Sequence, residues 1–172
     1  MKYQKYKFRE YNKNYLLLYK KEERKLRQIL TKSSVIKHVG STAVPGLGGK
    51  GIIDIVIFIP KKDLKKNFKI LEFSKFEYKP KAGDDKRKFF QKKIIYKGKE
   101  RRIHVHLTVD KSVLNSFIAF RDYLKKDKKV REEYAQIKKK GAEKAKGDKT
   151  KYADYKINFL KNTIKSIGAK NK

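Results

Sequence analysis

The segment from residue 38 to residue 55, HVGSTAVPGLGGKGIIDI, limits the possible folds of this chain more than any other. It holds five of the chain's ten glycines, a Gly40-Ser41 turn, and Asp54 inside an otherwise apolar run. Glycine lacks the Cβ atom that would block a close approach, so such a turn gives an oxyanion access to backbone N–H groups. The segment therefore predicts a phosphate-holding turn followed by a buried strand that carries one carboxylate.

Hydrophobic periodicity predicts helices and strands in the first two thirds of the chain and helices alone after them. The predicted helices are 11–31, 61–73 and the region from residue 112 onward, and the predicted strands are 35–39, 52–59, 76–79, 88–96 and 101–109. Residues 81–87 are predicted to form a mobile loop, residues 97–100 a hairpin turn, and the tail after Ile167 to fray. We expect an α/β fold of the mixed α+β kind, with a mixed sheet flanked by helices and a C-terminal helical segment.

The predicted strand RRIHVHLTV, residues 101–109, separates its side chains by alternation. Its apolar residues point one way, while His104 and His106 point the other. Two residues this far apart on a strand have Cα atoms about 6 to 7 Å apart, which is close enough to share a metal or a phosphate. A buried carboxylate such as Asp54 also needs a cation, a metal or several donors. We therefore take Asp54, His104 and His106 as the candidate catalytic and metal-binding residues.

Structural roles are open for the same three residues. Asp54 can accept hydrogen bonds from the N–H groups of the glycine loop, because buried polar groups are normally satisfied locally. The histidines can bond a backbone carbonyl or stack on Phe89 or Phe90. The sequence alone does not choose between these structural roles and the catalytic or metal-binding roles.

Four segments of the chain together resemble the GrpB family. They are residues 38–55, RKFFQKK (87–93), HVHLTV (104–109) and FIAFRDYLKKDKKVREEYAQIKKK (117–140), and the likeness covers nearly the whole chain. The resemblance implies a nucleotidyltransferase-like fold, in which a phosphate-holding turn lies against a carboxylate-bearing strand. A chain of 172 residues fits one compact domain over residues 1–172. The resemblance implies the architecture much more closely than the reaction.

Candidate ligands for a phosphate or a nucleotide lie inside these matching segments. Lys50 follows two glycines, where it can reach a phosphate held by the loop. Arginines number only 8 among 49 basic residues, and an arginine fork binds anions better than a lysine does. Arg121 can equally pair with Asp122 or Glu133. The candidates are His38, Gly40, Ser41, Thr42, Lys50, Arg87 and Arg121.

The strand after the turn departs from the pattern of active nucleotidyltransferases. Those enzymes usually carry two acidic residues, one residue apart, that hold a divalent metal. This chain has Asp54-Ile55-Val56, so the second carboxylate is absent. Either candidate histidine can complete a site, although imidazole is a poor ligand for Mg²⁺ and a good one for Mn²⁺ or Zn²⁺. The cofactor expected of a catalytic site is a divalent metal, namely Mg²⁺, Mn²⁺ or Zn²⁺.

The formal net charge of +31 bears on partners and location. A field of this sign attracts nucleic acid or anionic metabolites without a dedicated site, so we expect nonspecific contact of RNA or DNA with the lysine-rich surface. A solvated surface that reflects a lysine-rich lineage is the open alternative.

The chain has no cysteine and no apolar run of the ~20 residues that a bilayer span needs. We expect a cytoplasmic protein without a membrane span.

Two functional hypotheses follow from these features. The first is nucleotidyl or phosphoryl transfer on a nucleotide or another phosphorylated small molecule. The second is a non-catalytic module that binds nucleic acid or a phosphorylated metabolite. A domain that chiefly binds a protein partner is a third possibility, because fold does not imply function.

Overall fold

The computed structural model describes residues 7–146 and 148–169. Within these residues the chain forms five α-helices and five β-strands, which confirms the predicted mixed α/β class. The strands are β1 (Val35–Val39), β2 (Ile53–Phe58), β3 (Glu77–Tyr78), β4 (Arg87–Tyr96) and β5 (Lys99–Thr108). The helices are α1 (Asn14–Ile29), α2 (Leu64–Phe73), α3 (Lys111–Lys126), α4 (Lys128–Ala145) and α5 (Lys149–Ala169).

The five strands form one mixed sheet in the order β1-β2-β5-β4-β3. Strands β2 and β5 are parallel, and every other neighbouring pair is antiparallel. The apolar run of β2 is buried on both faces, as its sequence predicts, because helices cover both sides of the sheet. This parallel pairing places the acidic strand beside the histidine strand.

Two hydrophobic layers hold the helices to the sheet. On one face, Ile53, Ile55 and Ile57 of β2 form a core with residues of α1 and α2. On the other face, Val39 and Val56 pack against α3. Fully burying an isoleucine or leucine side chain contributes about 1.5–3 kcal/mol, so these layers supply much of the folding free energy. Helices α4 and α5 pack against each other and against α3.

Several predicted boundaries shift by a few residues. Helix α1 begins at Asn14, where its backbone N–H donates to the Asn12 side chain, rather than at residue 11. The predicted helix 61–73 starts as a 3₁₀ turn at Lys61–Asp63 and becomes α-helical at Leu64. The end of α5 at Ala169 includes part of the tail predicted to fray, and residues 170–172 lie outside the described residues.

The two predicted loops are more compact than expected. The β4–β5 hairpin turns over Lys97 and Gly98, both with positive φ, which is the two-residue turn whose twist matches paired strands. The segment 81–87 contains a 3₁₀ turn and a short bridge between Asp84 and Arg87. Among the described residues, no helix is long and apolar enough to cross a bilayer.

Candidate functional site

The register between β2 and β5 brings the three candidate catalytic residues together. Asp54 pairs with His104, and Val56 pairs with His106. His104 Nδ1 lies 3.2 Å from Asp54 Oδ1, and His106 Nε2 lies 3.8 Å from the same oxygen. We call Asp54, His104 and His106 the Asp54 cluster.

Asp54 is an ionised carboxylate held by its neighbours. Burial acts to raise the pKa of Asp54, but the hydrogen bond from His104 and the nearby N–H of His106 outweigh burial and hold this pKa well below its usual range. The Gly40-Ser41 turn approaches the carboxylate so closely that a Cβ atom on Gly40 would overlap Asp54 Oδ2. The turn and the acidic strand therefore meet in the way that the sequence predicts.

Arg87 sets the tautomer of His106. Arg87 Nη1 donates to His106 Nδ1 at 2.8 Å, and a guanidinium has no lone pair with which to accept. Nδ1 is thus the acceptor, and the ring proton sits on Nε2, facing Asp54. Burial lowers the pKa of His106, which keeps the ring neutral. Arg87 also donates to the Ala82 carbonyl at 3.2 Å, so its guanidinium links this histidine to the 3₁₀ turn before β4.

His104 differs from His106 in what its ring contacts. A carboxylate can only accept, so His104 Nδ1 donates to Asp54. The ring meets Phe89 edge to face, with centroids 4.8 Å apart. Contact with Phe89, which the sequence left open as a purely structural role, thus accompanies the bond to Asp54.

The cluster in this arrangement does not fit a metal ion. Both nitrogens of His106 face other partners, and Val56, at the position of the missing second acid, is buried against α3. Among the residues that the structure describes, no group of three or more His, Cys, Asp or Glu residues is placed to hold a metal. The divalent metal stays a prediction.

The structure does not bring His38 and Thr42 to the Asp54 cluster. His38 shares a face of β1 with the α1 core and stacks on Tyr19, with centroids 4.3 Å apart. Its Nε2 donates to Thr42 Oγ1 at 3.0 Å, and that hydroxyl donates to the Ile52 carbonyl at 2.9 Å. Burial lowers the pKa of His38 to about 4, so the ring is neutral. The two residues hold the turn in place from the opposite side of the sheet.

Arg121 also lies apart from the cluster. Its Nη1 donates to the His38 carbonyl at 3.0 Å, and its Nε and Nη2 donate to the Asp122 carboxylate at 2.8 Å each. Of the two acidic partners that the sequence allows, the structure selects Asp122. Arg121 ties α3 to β1.

A cavity of about 190 Å³ opens beside the Asp54 cluster, and we call it the lysine cavity. The predicted residues Gly40, Ser41 and Lys50 line it together with Asp54 and His104. Helices α4 and α5 add four residues that the sequence analysis did not assign to the site. These are Tyr134, Lys138, Tyr152 and Lys156.

The lysines of this cavity are crowded and poorly solvated. Lys138 is 3% exposed, and its ammonium donates to the Gly48 carbonyl. Burial, reinforced by Lys156, lowers the pKa of Lys138 to about 7. Burial, reinforced by Lys50, lowers the pKa of Lys156 to about 8. Each protonated lysine is costly in so poorly solvated a space, and an anion bound beside it would offset that cost.

The chain has many lysines, but one feature of the local sequence marks both Lys138 and Lys156. Each lies four residues after a tyrosine on a helix, and this spacing places the two side chains side by side. Lys138 Nζ lies 4.5 Å from the centroid of Tyr134, and Lys156 Nζ lies 4.6 Å from that of Tyr152. The repeated tyrosine–lysine pair distinguishes these two lysines from solvated ones.

A second, larger cleft adjoins the lysine cavity. Its volume is about 640 Å³, and its lining includes Pro80, Phe89 and Arg102. Lys50, Ile52 and His104 line both spaces. His104 therefore lies at the common wall of a small cationic cavity and a wider cleft.

Comparison with known proteins supports one family. A family profile described as GrpB protein matches residues 5–166. The chain belongs to the GrpB family. It is 28% identical over 162 residues to a UPF0157 protein of Halalkalibacterium halodurans, covering 93% of this chain and 81% of that protein. It is 29% identical over 154 residues to the glutamate-rich protein GrpB of Alkalihalophilus pseudofirmus, covering 87% and 88%.

Solved structures agree with this membership. The crystal structure of the conserved protein GrpB from Enterococcus faecalis superposes with a TM-score of 0.79 at 26% identity, covering 96% of this GrpB chain and 99% of that one. The structure of Cid1 with its short product ApU gives a TM-score of 0.50 at 13% identity, covering 74% and 40%. At that identity the likeness concerns the fold alone, and it confirms the predicted nucleotidyltransferase-like architecture.

Proposed function

We propose that this GrpB protein binds the phosphates of a nucleotide, or of another phosphorylated small molecule, in the lysine cavity. The Asp54 cluster then supports nucleotidyl or phosphoryl transfer at the cavity wall. The observation that carries the proposal is the convergence of Lys50, Lys138 and Lys156 on a space in which, among the described residues, Asp54 supplies the one carboxylate.

The charge balance of the cavity favours an anionic ligand. When its three lysines are protonated, one carboxylate leaves an excess of two positive charges in a poorly solvated space. Charges interact more strongly there than in water, so a phosphate in the cavity replaces repulsion among ammonium groups by attraction. The Ser41 hydroxyl lines the same cavity and can donate to a phosphate oxygen.

The nucleotide is favoured over other phosphorylated ligands by the adjoining cleft. A phosphate in the lysine cavity leaves the rest of its molecule next to Phe89 and Pro80, which offer an aromatic ring and an apolar wall. Cid1, which shares the fold, was solved with the dinucleotide product ApU. A nucleoside fits both observations.

Titration calorimetry with inorganic pyrophosphate and each ribonucleoside triphosphate tests the proposal. We expect binding to the unaltered chain and its loss in Lys138→Met. The matched control is Lys139→Met, which removes the same charge from the next residue of α4 but from an exposed position. The control variant should keep the affinity of the unaltered chain within about twofold, because exposed charges are screened by salt.

Equal loss of affinity in the two variants would show that the ligand is held by surface charge and not by the cavity.

Ligand saturation also raises the melting temperature of a protein that binds only when folded. At a ligand concentration 100 times the dissociation constant, the stabilisation is about 2.7 kcal/mol. Thermal unfolding of the same variants therefore gives an independent reading.

Nucleic-acid binding without catalysis is the second candidate function, and the observation that favours it is the net charge of +31. Binding of this kind releases counterions, so the logarithm of the RNA affinity should fall linearly with the logarithm of salt concentration. Lys138→Met should leave that affinity nearly unchanged, because the Lys138 side chain is buried. An RNA affinity that is flat in salt would reject this candidate.

A further inference from the structure

We infer that His104 is a nucleophile whose Nε2 attacks the α-phosphorus of a nucleoside triphosphate and carries the nucleotidyl group as a covalent intermediate. The inference rests on the proposed function, since the nucleotide must first bind in the lysine cavity. It adds the attacking atom, the position attacked and the leaving group.

The first step is the state of the imidazole ring. His104 Nδ1 donates to Asp54, which leaves the lone pair of a neutral ring on Nε2. Within the described part of the chain, Nε2 has no hydrogen-bond partner. His106, by contrast, faces Arg87 with one nitrogen and Asp54 with the other. A nucleophile oriented by a third group is the usual arrangement of covalent catalysis.

The second step is the position of the ring. His104 lines both the lysine cavity and the wider cleft. In the proposed complex, the nucleoside occupies the wider cleft and the outer two phosphates lie among the lysines. The α-phosphorus of the triphosphate must then lie at the wall that the two spaces share. Position alone thus selects the α-phosphorus over the terminal one.

The third step is the chemistry. The Nε2 lone pair forms an N–P bond, the P–O bond to the outer phosphates breaks, and its electron pair leaves on pyrophosphate. Lys50, Lys138 and Lys156 balance the charge of this leaving group. The phosphorylated ring is cationic, and Asp54 stabilises it by accepting from Nδ1. Water or an acceptor hydroxyl then attacks the phosphorus, the N–P electron pair returns to Nε2, and the proton is released to solvent.

This route also accounts for the single acidic residue of β2. Direct transfer between two metal ions uses paired carboxylates, whereas a histidine nucleophile needs one carboxylate to orient its ring. Val56 occupies the second position and is fully buried against α3. The sequence Asp54-Ile55-Val56 therefore suits the covalent route.

The test incubates the full chain with ribonucleoside triphosphates radiolabelled at either the α- or the γ-phosphorus, followed by denaturation and intact mass measurement. We expect label from the α position only, a mass gain of one nucleotidyl group, which is a nucleoside monophosphate less one water, and release of pyrophosphate. The bond should be lost in acid and survive in base, as a P–N bond does, and peptide mapping should place it on His104. Asp54→Asn should slow labelling about 100-fold or more.

Imidazole rescue separates a chemical role from a structural one. His104→Gly should lose the label, and added imidazole should restore release of pyrophosphate with formation of a nucleotidyl-imidazole in solution. If the unaltered chain binds triphosphates but gains no label, the nucleophile is overturned while the proposed binding function stands. If triphosphates do not bind, both fail. Label from the γ position, or on another residue, also rejects the inference.

Discussion

Gly40 is the residue on which the position of the Asp54 carboxylate depends most directly. Its φ angle is +70°, and Asp54 Oδ2 occupies the space that a side chain would need. The carboxylate in turn orients the imidazole of His104. A single missing Cβ atom therefore controls the geometry of the whole Asp54 cluster.

Gly40→Ala should destabilise the fold and abolish ligand binding. The new Cβ atom would displace Asp54, and a backbone at φ +70° and ψ −172° alone costs about 1–3 kcal/mol for a residue with a side chain. Gly98→Ala is the matched control, since its φ is also +70° but nothing lies within 4 Å of the added atom. Urea unfolding compares the two variants, and the larger loss expected in Gly40→Ala combines the overlap with Asp54 and the strain of the extended ψ of −172°. Equal destabilisation would show that Asp54 adapts without cost.

Lys138 gives the fold a pH dependence whose sign can be predicted. Its pKa falls from 10.5 in the free side chain to about 7 in the folded protein. Between these values the unfolded chain holds a proton that the folded chain has released, so stability should rise with pH. The slope contributed by one such group approaches about 1.4 kcal/mol per pH unit.

Urea unfolding from about pH 6 to about pH 9 measures this contribution. Lys138→Met should flatten the rise, and the part due to Lys156, whose pKa is lowered to about 8, should remain. The parts due to the buried His38 and His106, whose pKa values are also lowered, should remain at about pH 6. Lys139→Met should keep the full slope. A Lys138→Met variant that retains the whole pH dependence would contradict the assignment.

At the scale of elements, helix α4 positions Lys138 and Tyr134, and its N-terminus is defined by one side chain. Asp127 accepts from the Val130 N–H at 3.0 Å and so caps the helix. Arg131, one turn later, donates to the Leu124 and Lys125 carbonyls at the end of α3. The junction between the two helices is therefore specified by hydrogen bonds as well as by packing.

Asp127→Ala should lower the free energy of unfolding by about 1 kcal/mol, because the Val130 N–H in the first turn of α4 loses its acceptor. Lys129→Ala, in the same turn but exposed, should have an effect near zero. Thermal and urea unfolding compare the two variants. A stability of Asp127→Ala equal to that of Lys129→Ala would show that packing alone holds the start of α4.

At the scale of the whole molecule, charge is the dominant feature. The chain carries 49 basic and 18 acidic residues, so like charges repel across a compact surface. Several surface ion pairs lie within the fold, but pairs of this exposure contribute little to stability. The folded state is thus stabilised by its core against a repulsive surface.

Raising the sodium chloride concentration should therefore raise the melting temperature. The screening length falls from about 30 Å at 0.01 M to about 8 Å at 0.15 M salt, which removes most long-range repulsion. Calorimetry over this range measures the shift. Lys138→Met should show the same shift if screening is the cause, and a smaller one if chloride binds in the lysine cavity. A melting temperature that falls with salt would contradict the prediction.

Local patterns in the sequence determined the elements and part of the site. The alternation of β5, the apolar run of β2 and the Gly40-Ser41 turn each lie in a short stretch of chain, so side-chain direction follows from backbone period alone. The pairing of Asp54 with His104 required one further fact, the parallel register of two strands. That register became visible only in the structure.

Only the tertiary structure decided which lysines join the cavity and which candidates stand apart from it. Lys138 and Lys156 line the same cavity as Asp54 because α4 and α5 dock beside the glycine loop, and that docking is a sum of contacts between residues far apart in the chain. His38 lies only two residues before Gly40, yet alternation places it on the opposite face of the sheet. Local periodicity specifies the direction of a side chain within its element, whereas long-range packing specifies which elements meet.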